Sequence, residues 1–139
     1  MRKKYRLWAL SDTHVGTEIK FGRRSLEEAI QHAEAWPPGP GAPESAGGFD
    51  IAVNLGDFSG SQLPPDDAEG ELVVAQYATA KAHGREHFYD VIGNHDASGV
   101  DEPTQWWFRK WIDPTGESTE YSGIDNTKRP FPTSGTWEH

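Results

Sequence analysis

The sequence predicts an α/β protein built on a parallel sheet, in the order strand, helix, strand, helix, strand. Three short apolar segments each end abruptly at polar or glycine residues, which is how buried strands read. Two amphipathic stretches of helical period separate them. Strands alternating with helices of this length imply βαβ units with right-handed crossovers.

The first strand is predicted over Tyr5 to Leu10, the second over Phe49 to Leu55 and the third over His87 to Ile92. Ser25 can cap the first helix, and Glu28 three residues later completes a capping box. Leu26, Ile30 and Ala33 fall on one face, Trp36 extends it, and Pro37-Pro38 ends it. The second helix starts near Asp66 or Asp67 and runs to His83, with Gly84 as its stop and Val73, Tyr77 and Ala80 as its apolar stripe. The Pro/Gly/Ala/Ser segment from Pro37 to Gly48 reads as a flexible surface connection. The strand-helix core thus spans 5–96, and 97–139 reads as a loop-rich, incomplete continuation of the same single domain. Within that continuation Thr104 can cap a short helix from Gln105 to Ile112. It carries Trp106, Trp107, Phe108 and Trp111, of which the three tryptophans are expected to pack rather than to form a substrate platform, and Asp113-Pro114 stops it.

Composition bounds the function. The chain has 139 residues, of which 35% are hydrophobic, enough for one core. Its net charge is -9, with basic residues scattered apart from Arg2-Lys3-Lys4 and Arg23-Arg24, which argues against a duplex-binding surface. The absence of cysteine excludes thiolate metal sites and leaves His, Asp, Asn and carbonyl oxygens as ligands. Tyr5 to Leu10 is too short and too polar for a signal peptide's core, and no run reaches transmembrane length. A soluble, cytoplasmic protein is expected.

The residues after each strand carry the chemistry: Ser11-Asp12-Thr13-His14, Gly56-Asp57-Phe58-Ser59 and Gly93-Asn94-His95-Asp96. In a parallel sheet these loops converge at the carboxyl edge, where such sheets place ligands. Asp12 and His14, two apart, suit one shared cation. The Asp57 carboxylate has lone pairs enough to bridge two. Asn94 offers a neutral oxygen that adds no charge to a site awaiting a phosphate. Gly56 and Gly93 are expected to let the backbone turn sharply. Two metals about 3.5–4 Å apart can share a hydroxide and clamp both oxygens of an in-line phosphoryl displacement. Alone, Asp12 or Asp57 would more often be a helix N-cap and Asn94 a turn residue. His32, His83 and His87 read as bland surface or strand-edge residues, and Asp101 and Glu102 as possible neighbours of the site entrance.

In order, these segments resemble the opening motifs D-x-H, G-D and G-N-H-D/E of the calcineurin-like metallophosphoesterases. The resemblance implies half of a four-layer αββα sandwich and two divalent metal ions (Mn, Fe or Zn). It implies that Asp12 and His14 hold the first metal, Asp57 bridges, and Asn94 holds the second. It further implies that His95 approaches the phosphate of a mono- or diester substrate, and that Asp96 orients the His95 ring through its imidazole N–H. The family pattern continues with a lone His and a Gly-His-x-His motif. After His95 the only histidine is His139, and no Gly-His pair occurs, so the chain reads as part of a longer protein whose isolated activity is in doubt. His14 and the lack of a tyrosine after Asp57 set purple acid phosphatases aside. A DNA-processing nuclease of the same superfamily and a non-catalytic protein-binding domain stay open as alternatives. The sequence selects neither substrate nor oligomeric state.

Overall fold

The computed structural model describes residues 5–17, 21–38, 40, 48–61, 64–97 and 105–133. Strands β1 (Leu7–Leu10), β2 (Ile51–Asn54) and β3 (Phe88–Asp90) form a three-stranded parallel sheet in that order. Trp8 pairs with Ala52 and Ala52 with Phe88, and two residues on Leu10, Asn54 and Asp90 align in the same way. Because side chains alternate along a strand, these two rows share one face. That face is buried under helices α1 (Ser25–Glu34) and α2 (Asp67–Tyr77), with Leu26, Ile30, Ala33, Phe49, Val73 and Tyr77 completing the core.

Both helices follow the expected apolar spacing, and both depart from the expected ends. Arg24, not Ser25, is the N-cap of α1. The Ser25 hydroxyl donates to the Thr13 carbonyl, so the expected capping box does not form, and the Glu28 carboxylate reaches back to the Arg24 N–H instead. Trp36 is 43% exposed and does not extend the buried stripe. Helix α2 starts where the Asp66 side chain accepts the Glu69 N–H at 2.9 Å. It ends at Tyr77 and not at His83. The Glu34 carboxylate accepts the N–H groups of Lys81, Ala82 and His83 at 2.8–3.1 Å, which takes them out of helical register. His83 stacks on Phe49 and faces Glu34, so it is a packed residue and no surface one.

A buried polar network joins the sheet to α2. The Tyr77 hydroxyl donates to Asp90 at 2.8 Å and accepts from Asn54, while Arg85 pairs with Asp90 at 2.6 Å. Burial and the neighbouring Asp90 carboxylate push the Tyr77 pKa well up, keeping its proton for that bond. Asn54 turns its other end to the Gly56 N–H at 3.1 Å, which anchors the start of the loop after β2.

The expected third helix begins at Trp106 and passes into a π-helical turn, Phe108–Ile112. Trp107 and Trp111 are buried, and their indole N–H groups donate to the Asp66 carbonyl and the Asp67 carboxylate at the start of α2. Asp113 ends the turn in the left-handed region at φ 52 and accepts from Glu117, Ser118 and Ser122. A short helix α3 (Thr119–Ser122) follows. Arg129 then ties the tail back to the Phe88 and Pro114 carbonyls. Arg2-Lys3-Lys4, Asp101, Glu102, Thr104, His139 and most of the Pro37 to Gly48 connection lie outside the described residues. No helix among the described residues is long and apolar enough to cross a membrane.

Candidate metal centre

Pairing between the first two strands does not stop at their ends. Asp12 N–H donates to Gly56 O at 3.0 Å, His14 N–H to Asp57 O at 3.1 Å, and Val15 N–H to Phe58 O at 2.7 Å. The two loops are therefore zipped backbone to backbone. Three residues in them adopt positive φ although none is glycine: Asp12 at 54, His14 at 44 and Asp57 at 57. Such conformations cost on the order of 1–3 kcal/mol each and cluster where function fixes geometry. They are three of the four metal ligands expected from the sequence.

The third loop is pressed onto the second. A Cβ on Gly56, which has φ +103, would lie 2.5 Å from the Gly93 nitrogen. One on Gly93 would lie 2.1 Å from Asp57 Oδ1. Gly93 itself has an ordinary φ of -101, so the expected sharp turn applies to Gly56 alone and Gly93 is required for close approach.

The result brings His14, Asp57 and His95 together, each offering a ligand atom within 4.8 Å of the others. The rings of His14 and His95 stand 5.0 Å apart. His14 Nε2 lies 3.9 Å from both Asp12 Oδ1 and Asp57 Oδ2. Asn94 stands exposed at the start of the short helical turn that carries His95 and Asp96.

His14 Nε2 tests whether a cation fits. It is a buried ring nitrogen with no hydrogen-bond partner, facing two carboxylates at a distance too long for hydrogen bonds. Donor atoms each about 2.0–2.2 Å from one cation lie within about 4.4 Å of each other, so the 3.9 Å His14–Asp57 pair suits a shared ion. Asp12, also 3.9 Å from His14, is not part of the mutually close group of His14, Asp57 and His95. The site residues fit a divalent metal.

Asp96 does not face the imidazole as expected. It is fully buried, and its Oδ1 accepts the N–H groups of Phe58 and Ser59 while Oδ2 accepts those of Asp57 and Gly93, all at 2.8–3.0 Å. Four donors fill the carboxylate's capacity and leave none for a ring N–H. Burial pushes the Asp96 pKa up, and the four backbone donors pull against it. His95 instead holds Nδ1 against the Ser61 carbonyl at 2.8 Å, while its backbone N–H donates to Asp57 Oδ1 at 3.1 Å.

With that arrangement in place, the sequence pattern described as "Calcineurin-like phosphoesterase" matches residues 5–137. The chain belongs to the calcineurin-like phosphoesterase family. No curated protein and no solved structure matches it significantly. Membership makes it part of a group of hydrolases acting on phosphate esters, and the described residues supply a three-parallel-strand α/β unit consistent with that. Beside the candidate site of this calcineurin-like phosphoesterase, Ser59, Ser61 and Glu69 form a hydrogen-bonded group that the motifs do not mark. The Ser59 hydroxyl donates to Glu69 at 3.0 Å and accepts the Ser61 N–H at 3.1 Å. The only sequence signal was two serines closely following Asp57.

Proposed function

We propose that this chain binds two divalent cations and hydrolyses a phosphomonoester or phosphodiester. Asp12 and His14 hold one cation, Asp57 is shared, Asn94 serves the second, and His95 faces the phosphate. The observation that carries the proposal is the buried, partnerless His14 Nε2 set between two carboxylates on left-handed backbone. A bound divalent cation supplies a Lewis acid for phosphoryl oxygens and lowers the pKa of a coordinated water toward neutrality. The chain's own residues fix where this happens. Asp57 Oδ1 takes the His95 backbone N–H, and that leaves Oδ2 turned to His14. His95, with Nδ1–H held by a carbonyl, turns Nε2 to the site, and it is as the imidazolium, with a hydrogen on both nitrogens, that the ring can give a proton to a leaving oxygen or steady phosphoryl charge.

The sheet's second face supports the four-layer reading. Leu7 at 59% and Leu55 at 58% exposure lie beside Ala9, Val53 and Val91 on the face opposite the helices. Parallel sheets are ordinarily covered on both faces, and this apolar one suits a second sheet.

Manganese titration followed by assay on an aryl phosphate and a bis-aryl phosphate tests the assignment. Asp57→Asn is expected to weaken Mn²⁺ binding by about tenfold or more and to abolish turnover. Unchanged binding and turnover would sink the shared-ligand role. A second reading of His95, as a ligand, is favoured by its place in the cluster with His14 and Asp57. His95→Ala that lowers turnover but keeps metal content supports the phosphate-facing role; lost metal would make it a ligand.

A further inference from the structure

Resting on that reading of His95, we propose that Ser59 and Glu69 are positioning residues that fix the His95 imidazole through the Ser61 carbonyl. The chain of contacts is continuous and starts on a rigid element. Glu69 sits in the first turn of α2, its N–H held by the Asp66 cap at 2.9 Å. Its Oε1 accepts the Ser59 hydroxyl at 3.0 Å. Ser59 Oγ in turn accepts the Ser61 N–H at 3.1 Å, and the Ser61 carbonyl meets His95 Nδ1 at 2.8 Å.

Each link has one chemical sense. A carbonyl oxygen only accepts, so His95 Nδ1 carries the hydrogen and Nε2 is the ring nitrogen left for the site. A hydroxyl can donate and accept at once, which lets Ser59 bind the carboxylate and the Ser61 N–H together. Ser59 has no exposed surface, and its own N–H is taken by Asp96 at 3.0 Å, so its side chain is aimed by a fixed backbone. Glu69 Oε1 also lies close to Gly16, where a Cβ would stand 3.0 Å from it. The loop from Asp57 to Ser61 thus reports the position of α2 to the ring that faces the phosphate.

The relay leaves a signature that simple loss of structure would not. In the chain labelled with ¹⁵N-histidine, the neutral His95 ring is expected in its Nδ1–H form. Ser59→Ala is expected to shift it toward the Nε2–H form, and an unchanged ring spectrum overturns the proposal. In the Mn²⁺-loaded chain, Ser59→Ala and Glu69→Ala should each lower kcat about 10–100-fold, with KM and metal content within about twofold of wild type. Glu69→Gln, which keeps an acceptor oxygen, should restore most of the rate. Added to His95→Ala, Ser59→Ala should cost nothing more, because both act through one ring. Multiplying losses, or metal content falling in step with rate, would assign Ser59 to general loop stability and overturn the relay. A loaded wild-type chain that turns over no phosphate ester would fail the phosphoesterase reading instead, and the ring spectrum would then decide the relay alone.

Discussion

Asp57 shows how much of the site is fixed at a single residue. Its backbone is left-handed, its N–H goes to Asp96, its carbonyl takes the His14 N–H, and its Oδ1 takes the His95 N–H. Gly93 leaves the remaining room, since a Cβ there would meet Asp57 Oδ1 at 2.1 Å and Asp57 N at 2.3 Å. Gly93→Ala has no dihedral penalty at φ -101, so its whole effect must pass through Asp57. Mn²⁺ affinity is expected to fall about 10–100-fold, as for other changes that misplace a ligand. Calorimetric titration measures it, and wild-type affinity would show that the loop can yield without moving the carboxylate. At this scale the sequence displayed Asp12, His14, Asp57 and His95, because carboxylates and imidazoles suited to metal or phosphate chemistry are distinctive residue types and here follow strand ends. It did not display the work of Asp96 or Ser61. Asp96 binds main-chain N–H groups 37 to 39 residues away, and Ser61 acts through its carbonyl, which every residue type possesses.

Among the elements, apolar spacing predicted which faces are buried and tertiary contacts decided where helices end. Leu26, Ile30, Ala33, Val73 and Tyr77 lie where their spacing placed them. The end of α2 was not legible, because the Glu34 carboxylate that captures Lys81 to His83 comes from another helix. Burial and these donors act on Glu34 in opposite senses, and the donors prevail, holding its pKa below the ordinary value. Helix α2 also carries Gly70, a residue that weakens helices by about 1 kcal/mol relative to alanine. Its reason is the π-helical turn packed across it: a Cβ on Gly70 would lie 2.2 Å from Trp111 Cγ. Trp111 is further pinned by its indole bond to Asp67 at 2.8 Å. Gly70→Ala is therefore expected to destabilise the chain by about 1–3 kcal/mol, overpacking outweighing the gain in propensity. Thermal or urea unfolding tests this, and a stabilised variant would mean that the Trp111 ring moves aside freely.

For the whole molecule the two faces of the sheet are the decisive contrast. The helix-covered face has the fully buried Ala52 and Phe88 beside Asn54 and Asp90. The opposite face is also apolar, with Leu7, Ala9, Val53, Tyr89 and Val91, yet Leu7 is 59% exposed and Val91 42%. Strands that are apolar on both sides are the mark of a sheet meant to be covered twice, so this pattern was legible as near-continuous apolar runs. Exposed apolar side chains such as Leu7, Leu55 and Val91 also bind small hydrophobic probes. The folded 139-residue chain is expected to enhance ANS fluorescence in native buffer. Leu7→Lys is the sharpest check, because Leu7 opens β1 at the end of the sheet remote from the loops of the candidate site. Placing a charge there should lower ANS fluorescence, yet shift unfolding by no more than about 0.5 kcal/mol, as expected for an exposed position. A variant that unfolds readily while ANS binding stays at the wild-type level would show instead that this face is already covered within the chain.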